Sequence, residues 1–224
     1  MATNLSSWES QILPDVTGVP YPAIEKAVRK ACIDFCEQTL LWTYTLDRIT
    51  VAANTQSYTL TIPEAQYGEI ISVDDVKYKQ DGLDDDQFVT LAPISKNQKD
   101  LHDTGSWSFR TSATPSGYWI DKDKDILLYN IPTEASTEGL LVRCNMRPTK
   151  TCTTVEDFLY NDHFETIGAG AKGKLFGHKG QSWYDPNLAG TFGSIFRIDI
   201  NEAKKVKIIG YTKRPLKVRM REWL

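Results

Sequence analysis

The chain holds 224 residues, 41% of them hydrophobic and 25% charged, a composition that excludes wholesale disorder and supports a core without disulfides or metals. No apolar run reaches the ~18–20 residues that span a bilayer, and Met1 to Ser10 carries one charge, Glu9, so a secretory signal is not expected and a cytosol-like compartment is. Lys and Arg total 26 against 29 Asp and Glu, a net charge of −3 that at face value argues against a polyanionic partner.

In chain order, Ser6 to Pro14 predicts one short helix. A turn-rich stretch from Pro14 to Pro22 follows, and Pro22 suits the first turn of the next helix, where its missing N–H costs nothing. The period is helical from Ala23 to Trp42. Ile24, Ala27, Val28, Ala31, Cys32, Phe35 and Leu40 line one side, with Glu25, Lys26, Arg29, Lys30 and Glu37 mostly on the other. Cys32 and Cys36 share a face, but seven residues separate Cys144 from Cys152, and His102, His163 and His178 are scattered. That spacing does not build a zinc site, and buried thiols are expected.

The middle third reads as short antiparallel strands: Tyr44–Val51, Tyr58–Ile62, Ile70–Tyr78, Tyr118–Asp121, Ile126–Ile131 and Leu140–Met146. They are rich in Ile, Val, Thr and Tyr and separated by Pro, Gly, Asn and Asp. Asp81–Asp86 and Ser95–Ser106 read as long surface loops. Asp121, Asp123 and Asp125 alternate like calcium ligands, but Ile126 stands where such a loop needs Gly and Pro132 where it needs Glu. A solvated turn is the expectation there.

The helical period returns at Thr153, where Thr153 and Glu156 fit a capping box. Tyr160, Phe164, Ile167, Ala171 and Leu175 then fall on one face. Gly168 to Lys174 fits most of a phosphate-binding loop, but Leu175 replaces the hydroxyl residue that would hold magnesium, and the preceding residues read as helix. Small residues that let two helices approach are the expected use. Asp185-Pro186 opens a last helix, with Leu188, Phe192, Ile195, Phe196, Ala203 and Val206 on its apolar side, ending before Gly210.

The net charge hides a division. Ala203 to Leu224 holds eight basic residues and one acid, a charge of +7, and the first 202 residues carry −10. In the last segment Leu216, Val218 and Met220 alternate with Lys217, Arg219 and Arg221, as in a strand that adds to another chain's sheet edge. The fold expected from these elements is α+β: a helical bundle of about three long helices (1–43 and 153–210), an inserted antiparallel β module (44–152), and an extended C-terminal docking arm (211–224).

The run Ile12-Leu13-Pro14-Asp15-Val16-Thr17-Gly18-Val19-Pro20, followed by Ile24, Ala27, Val28, Arg29, Ala31, Ile33-Asp34-Phe35-Cys36-Glu37 and Trp42, resembles the opening of the head-to-tail adaptor proteins of short-tailed phages. Gly180 to Ala189, with Trp183 before Asp185-Pro186, is similar to their second helical junction. The resemblance implies a virion structural protein in the neck between capsid and tail, present in host cytoplasm during assembly. It implies a homo-oligomeric ring of about twelve copies, portal protein above, a tail tube or nozzle protein below, and genomic DNA passing without sequence-specific contact. No membrane, cofactor, metal or catalytic residue is expected.

Portal binding is assigned to the arm, through Lys213, Arg214, Leu216, Lys217, Val218, Arg219, Met220, Arg221, Trp223 and Leu224. Packing between subunits is assigned to Arg29, Glu37, Trp42 and Trp183. The acidic body would keep a DNA channel weakly repulsive if its acids face inward. The alternatives are a DNA-contacting virion or tail-tube protein, tested by steep salt dependence, and a nucleotide-binding enzyme built on Gly168–Lys174.

Overall fold

A computed structural model describes residues 2–62, 67–95 and 110–210. It divides into two compact units, one running to Leu41 and resuming at Thr153, the other spanning Trp42–Cys152. No helix among the described residues is long and apolar enough to cross a membrane.

The described residues of the first unit contain five α-helices: α1 (Glu9–Ile12), α2 (Tyr21–Thr39), α3 (Asp157–Asn161), α4 (Phe164–Phe176) and α5 (Pro186–Ile209). A 3-10 turn, Leu5–Trp8, precedes α1. In α2, Pro22 sits in the first turn and Ile24, Ala27, Val28, Ala31, Cys32 and Phe35 form the buried stripe. The helix stops at Thr39 rather than reaching Trp42. Leu40 turns to a left-handed φ of 53° and its N–H donates to the Cys36 carbonyl, closing the helix end.

The expected helix start at Thr153 is replaced by a strand. Thr154–Glu156 pairs antiparallel with Ala2–Asn4, and α3 begins only at Asp157. Pairing to the N-terminal strand satisfies the backbone groups that a capping box would otherwise have served, and the Thr3 hydroxyl donates to Asp157 Oδ1 at 2.6 Å. Trp8, fully buried, fixes this corner. Its Nε1 donates to the Phe164 carbonyl at 3.1 Å, Tyr160 meets its ring edge-on at 5.1 Å, and Phe164 stacks at 6.0 Å.

Helix α4 packs on α1 and α5 through its glycines. A methyl group at Gly170 would lie 2.8 Å from the Phe196 ring, and one at Gly168 would run into the Gln11 amide. At Gly173 the nearest atom would be the Gly193 backbone nitrogen at 3.1 Å. Phe192 stacks on Phe176 at 5.8 Å and completes the seam.

The second unit is dominated by two long strands, Gly68–Tyr78 and Ser136–Pro148, paired antiparallel with register shifts at Arg143/Cys144 and Asn145/Met146. Val89–Thr90 extends one edge, and Thr43–Thr45 and Ile49–Val51 occupy the other. The bulges add local twist, consistent with the curl of this sheet into a half-barrel. Ile126–Tyr129, Gly117–Ile120, Ser57–Tyr58 and Ala92–Pro93 form a second sheet. Val51, Val76, Ile126, Leu128, Leu140, Val142 and Cys144 fill the core. The Asp121–Asp125 segment is a turn in which Asp121 Oδ1 accepts from the amides of Asp123 and Asp125.

These observations correct the expected fold class. The protein is a mixed α/β structure with five α-helices among the described residues and extensive antiparallel sheet, not a bundle of three long helices with a β insertion. The Thr153 segment divides into a strand, a short helix and a longer one because it pairs with the N-terminus and folds around Trp8. The expected strand Tyr44–Val51 is likewise two short strands, and Tyr58–Ile62 is reduced to Ser57–Tyr58. Most of the Ser95–Ser106 loop and the whole arm 211–224 lie outside the described residues.

The glycine seam makes a paired prediction. Gly170→Ala forces a methyl into the Phe196 ring and lowers stability by about 1–3 kcal/mol. Gly190→Ala, where the space is open, raises it by up to ~1 kcal/mol through helix propensity. Urea melts of the two variants check both signs.

Candidate functional site

Residues Gly168–Lys174 lie wholly inside α4. Their amides are committed to helical hydrogen bonding and form no phosphate cradle. The two lysines are engaged as well. Lys172 Nζ pairs with Asp15 and lies 5.3 Å from the Phe192 ring, and Lys174 Nζ pairs with Asp34 on α2. Asp15 belongs to the turn before α2. Val16 and Val19 of that turn are buried, and Gly18 takes a φ of +80°, which favours glycine.

Of the residues assigned to packing between subunits, Arg29 is half-buried and Glu37 exposed on α2. Trp183 is half-buried in the turn between α4 and α5, and its Nε1 is buried with no acceptor, so its polar atom is not presented to a neighbour. Trp42 belongs to the other unit, only 4% exposed. It packs directly over Gly68, where an added methyl would meet its ring at 2.6 Å. Trp42 is therefore core of the second unit. The portal-binding residues Lys213 to Leu224 lie outside the described residues.

Helix α5 presents two apolar rows. Phe196, Ile200 and Ala203 are buried, whereas Leu188, Ile195 and Ile198 are 40%, 41% and 59% exposed. Leu188 and Ile195 were expected to share the buried side. Asp185 holds the start of this helix, its Oδ1 accepting from the amides of Asn187 and Leu188 at 2.9 and 3.1 Å.

Beside α5, a cleft of about 600 Å³ opens between the α3–α4 junction and the C-terminal half of α5. Asp162, Glu165, Asp199 and Glu202 line it over an apolar floor that includes Phe164 and Val206. Thr166 Oγ1 donates to Asp199 Oδ2 at 3.2 Å, tying α4 to α5 at its edge. His163 also lines it. Burial pushes its imidazole below the ordinary histidine range, against the pull of Asp162, so it stays neutral at pH 7. Among the described residues, no Lys or Arg lines the cleft and no three carboxylate, thiol or imidazole groups converge as metal ligands. Its chemistry is that of a surface for distributed cations. Asp199 and Glu202 are spaced three apart on one helix face, a signal present in the sequence, whereas Asp162 and Glu165 fall on either side of the break between α3 and α4.

The β unit has its own charged cluster. Arg48 grips Asp85 through both guanidinium nitrogens, at 3.0 and 2.7 Å, and reaches Glu138 at 3.1 Å. Lys79 Nζ joins Asp85 at 3.0 Å, and both cations lie over Phe88. The Arg48 and Lys79 hydrogen bonds hold the Asp85 carboxyl down at about 2. Burial pushes the Cys144 thiol up to about 12, and all four cysteines are buried thiols.

No family model matches this sequence, and no curated protein matches it.

The two ion-pair clusters are open to direct test. The Lys172 side chain is 10% exposed and Asp15 47%, so loss of the two partners is unequal. Asp15→Ala strands a buried ammonium and costs about 2–3 kcal/mol, whereas Lys172→Met leaves an exposed carboxylate and costs less than ~1 kcal/mol; denaturant titration measures the difference. Asp85 has a lowered folded-state pKa, so its stabilising contribution is intact above the ordinary value of 3.8 and fades as pH falls towards about 2. The Asp85 carboxyl should titrate near 2 by NMR, and Asp85→Asn should flatten the pH dependence of unfolding between those values.

Proposed function

We propose that this chain is a virion structural protein, a head-to-tail adaptor that forms a ring beneath the portal and joins it to the tail or nozzle. The observation that carries this reading is the run from Ile12 to Trp42, which resembles the opening of such adaptors. Its residues have defined uses here. Val16, Val19 and Gly18 set the turn, Asp15 and Asp34 receive the α4 lysines, and Ile24, Ala27, Val28, Ala31 and Phe35 are the buried face of α2. These are structural uses, so they support a shared helical unit more directly than a shared assembly.

Two further features support assembly. The exposed row Leu188, Ile195 and Ile198 gives α5 an apolar surface for lateral packing between copies. The charge division, −10 on the first 202 residues and +7 after them, +4 of it on the arm 211–224, suits a body compatible with passing DNA and an arm that docks on an acidic portal surface. In this reading the ring has about twelve copies, to match a closed portal ring, and the protein works without a cofactor.

Removal of residues 213–224 is expected to leave the monomer folded by circular dichroism and to abolish co-sedimentation with portal. Light scattering should give a monomer alone and a complex of about twelve copies with portal. Unchanged co-sedimentation would remove the arm from the docking role. Binding to DNA in place of portal, weakening steeply with salt, would move the reading to a DNA-contacting virion protein.

A further inference from the structure

We propose that, before it meets a partner, the chain's own basic segment Lys213–Arg221 is held in the acidic cleft between the α3–α4 junction and α5. The proposal does not depend on the adaptor reading, because it concerns the isolated chain.

Charge is the first argument. Asp162, Glu165, Asp199 and Glu202 line the cleft, no Lys or Arg among the described residues lines it although Lys204, Lys205 and Lys207 follow on α5, and no three ligands there converge on a single ion. Four carboxylates distributed along two elements suit cations distributed along a chain. Lys213, Arg214, Lys217, Arg219 and Arg221 supply five within nine residues. The apolar component matches as well: Leu216, Val218 and Met220 alternate with those cations, and the half-buried Phe164 and Val206 offer apolar surface in the cleft.

Reach is the second argument, and it favours the chain's own segment over a second copy's. The cleft is lined by α5 as far as Val206, and α5 ends at Ile209. Gly210 takes a φ of 69°, a conformation that ends the helix and lets the chain turn away from its axis. Asp199 is roughly 16 Å back along the helix, and the fourteen residues beyond Gly210 extend to roughly 45–50 Å. Covalent attachment at that distance gives a high effective concentration, which weak, screened ion pairs need to hold a segment at all.

Zero-length carbodiimide cross-linking of the full chain tests this. Lys213 and Lys217 should join to Asp162, Glu165, Asp199 or Glu202 within one chain, shown by mixing isotopically light and heavy protein. Raising salt to about 1 M, where the screening length is near 3 Å, should suppress these links. Glu165→Gln/Glu202→Gln leaves the Thr166–Asp199 bond intact and two reactive carboxylates in the cleft. It should reduce the links from the two lysines to Asp162 and Asp199 by roughly three- to tenfold, the effect of losing two surface ion pairs. The Lys172–Asp15 link serves as the internal measure of a folded helical unit and should persist in every sample. Links from the two lysines scattered over other carboxylates, equal in wild type and variant, would overturn the proposal. So would links found only between light and heavy chains, which would assign the cleft to a second copy.

Discussion

Close approach of the α4 backbone to its neighbours governs the helical unit. Gly168 and Gly170 bring the helix against Gln11 and the Phe196 ring, at distances no larger residue permits without displacement. Once α4 is that deep, its long side chains must find partners. Lys172 and Lys174 do so on Asp15 and Asp34, which ties the turn before α2 and α2 itself to the same helix. Trp8 seals the other end by donating to the Phe164 carbonyl where α4 begins. The cleft follows from the same packing, because α5 is held at the Phe196 contact while its C-terminal half faces the α3–α4 junction across the opening.

The β unit rests on a different constraint. Two strands of 11 and 13 residues pair from Leu140 to Pro148, and the bulges at Asp74 and Ile71 in Gly68–Tyr78 curl the sheet so that Val76, Leu140, Val142 and Cys144 face a common core. Outside that core, the Arg48–Asp85 pair pins the loop after Gly68–Tyr78 against the sheet's edge. Its side chains are 35% and 61% exposed, so it orders a loop rather than stabilising the core.

The functional features have one physical theme, which is charge arranged on a packed frame. The lysines of the Gly168–Lys174 run are structural cations inside the helical unit, while the acids of Asp162, Glu165, Asp199 and Glu202 remain at a surface. A basic, apolar-alternating segment follows α5 directly in sequence. Docking to portal and docking to the cleft would draw on the same side chains, so the two states would compete. That competition would give an adaptor a reason to remain unassembled until its partner is present.

The sequence alone determined what local chemistry controls. Pro22 and the Ile24–Phe35 stripe place α2, Asp185-Pro186 places the start of α5, and the β-branched, turn-punctuated middle marks a sheet region. It also exposed the charge division and the adaptor-like run. Tertiary structure decided the rest, because the deciding partners are far apart in the chain. Thr154–Glu156 is a strand only because Ala2–Asn4 pairs with it, and Trp42 is core only because Gly68 leaves room for its ring. Leu188 and Ile195 share a helix period with Phe192 and Phe196, and only the position of α4 settles which row is buried. The acidic cleft was half legible, as the i, i+3 pair Asp199 and Glu202 on α5 and the acids Asp162 and Glu165 at the break before α4. That all four acids face one opening required the α3–α4 junction and α5 to be packed together, since helical periodicity fixes which residues share a face and not what that face meets.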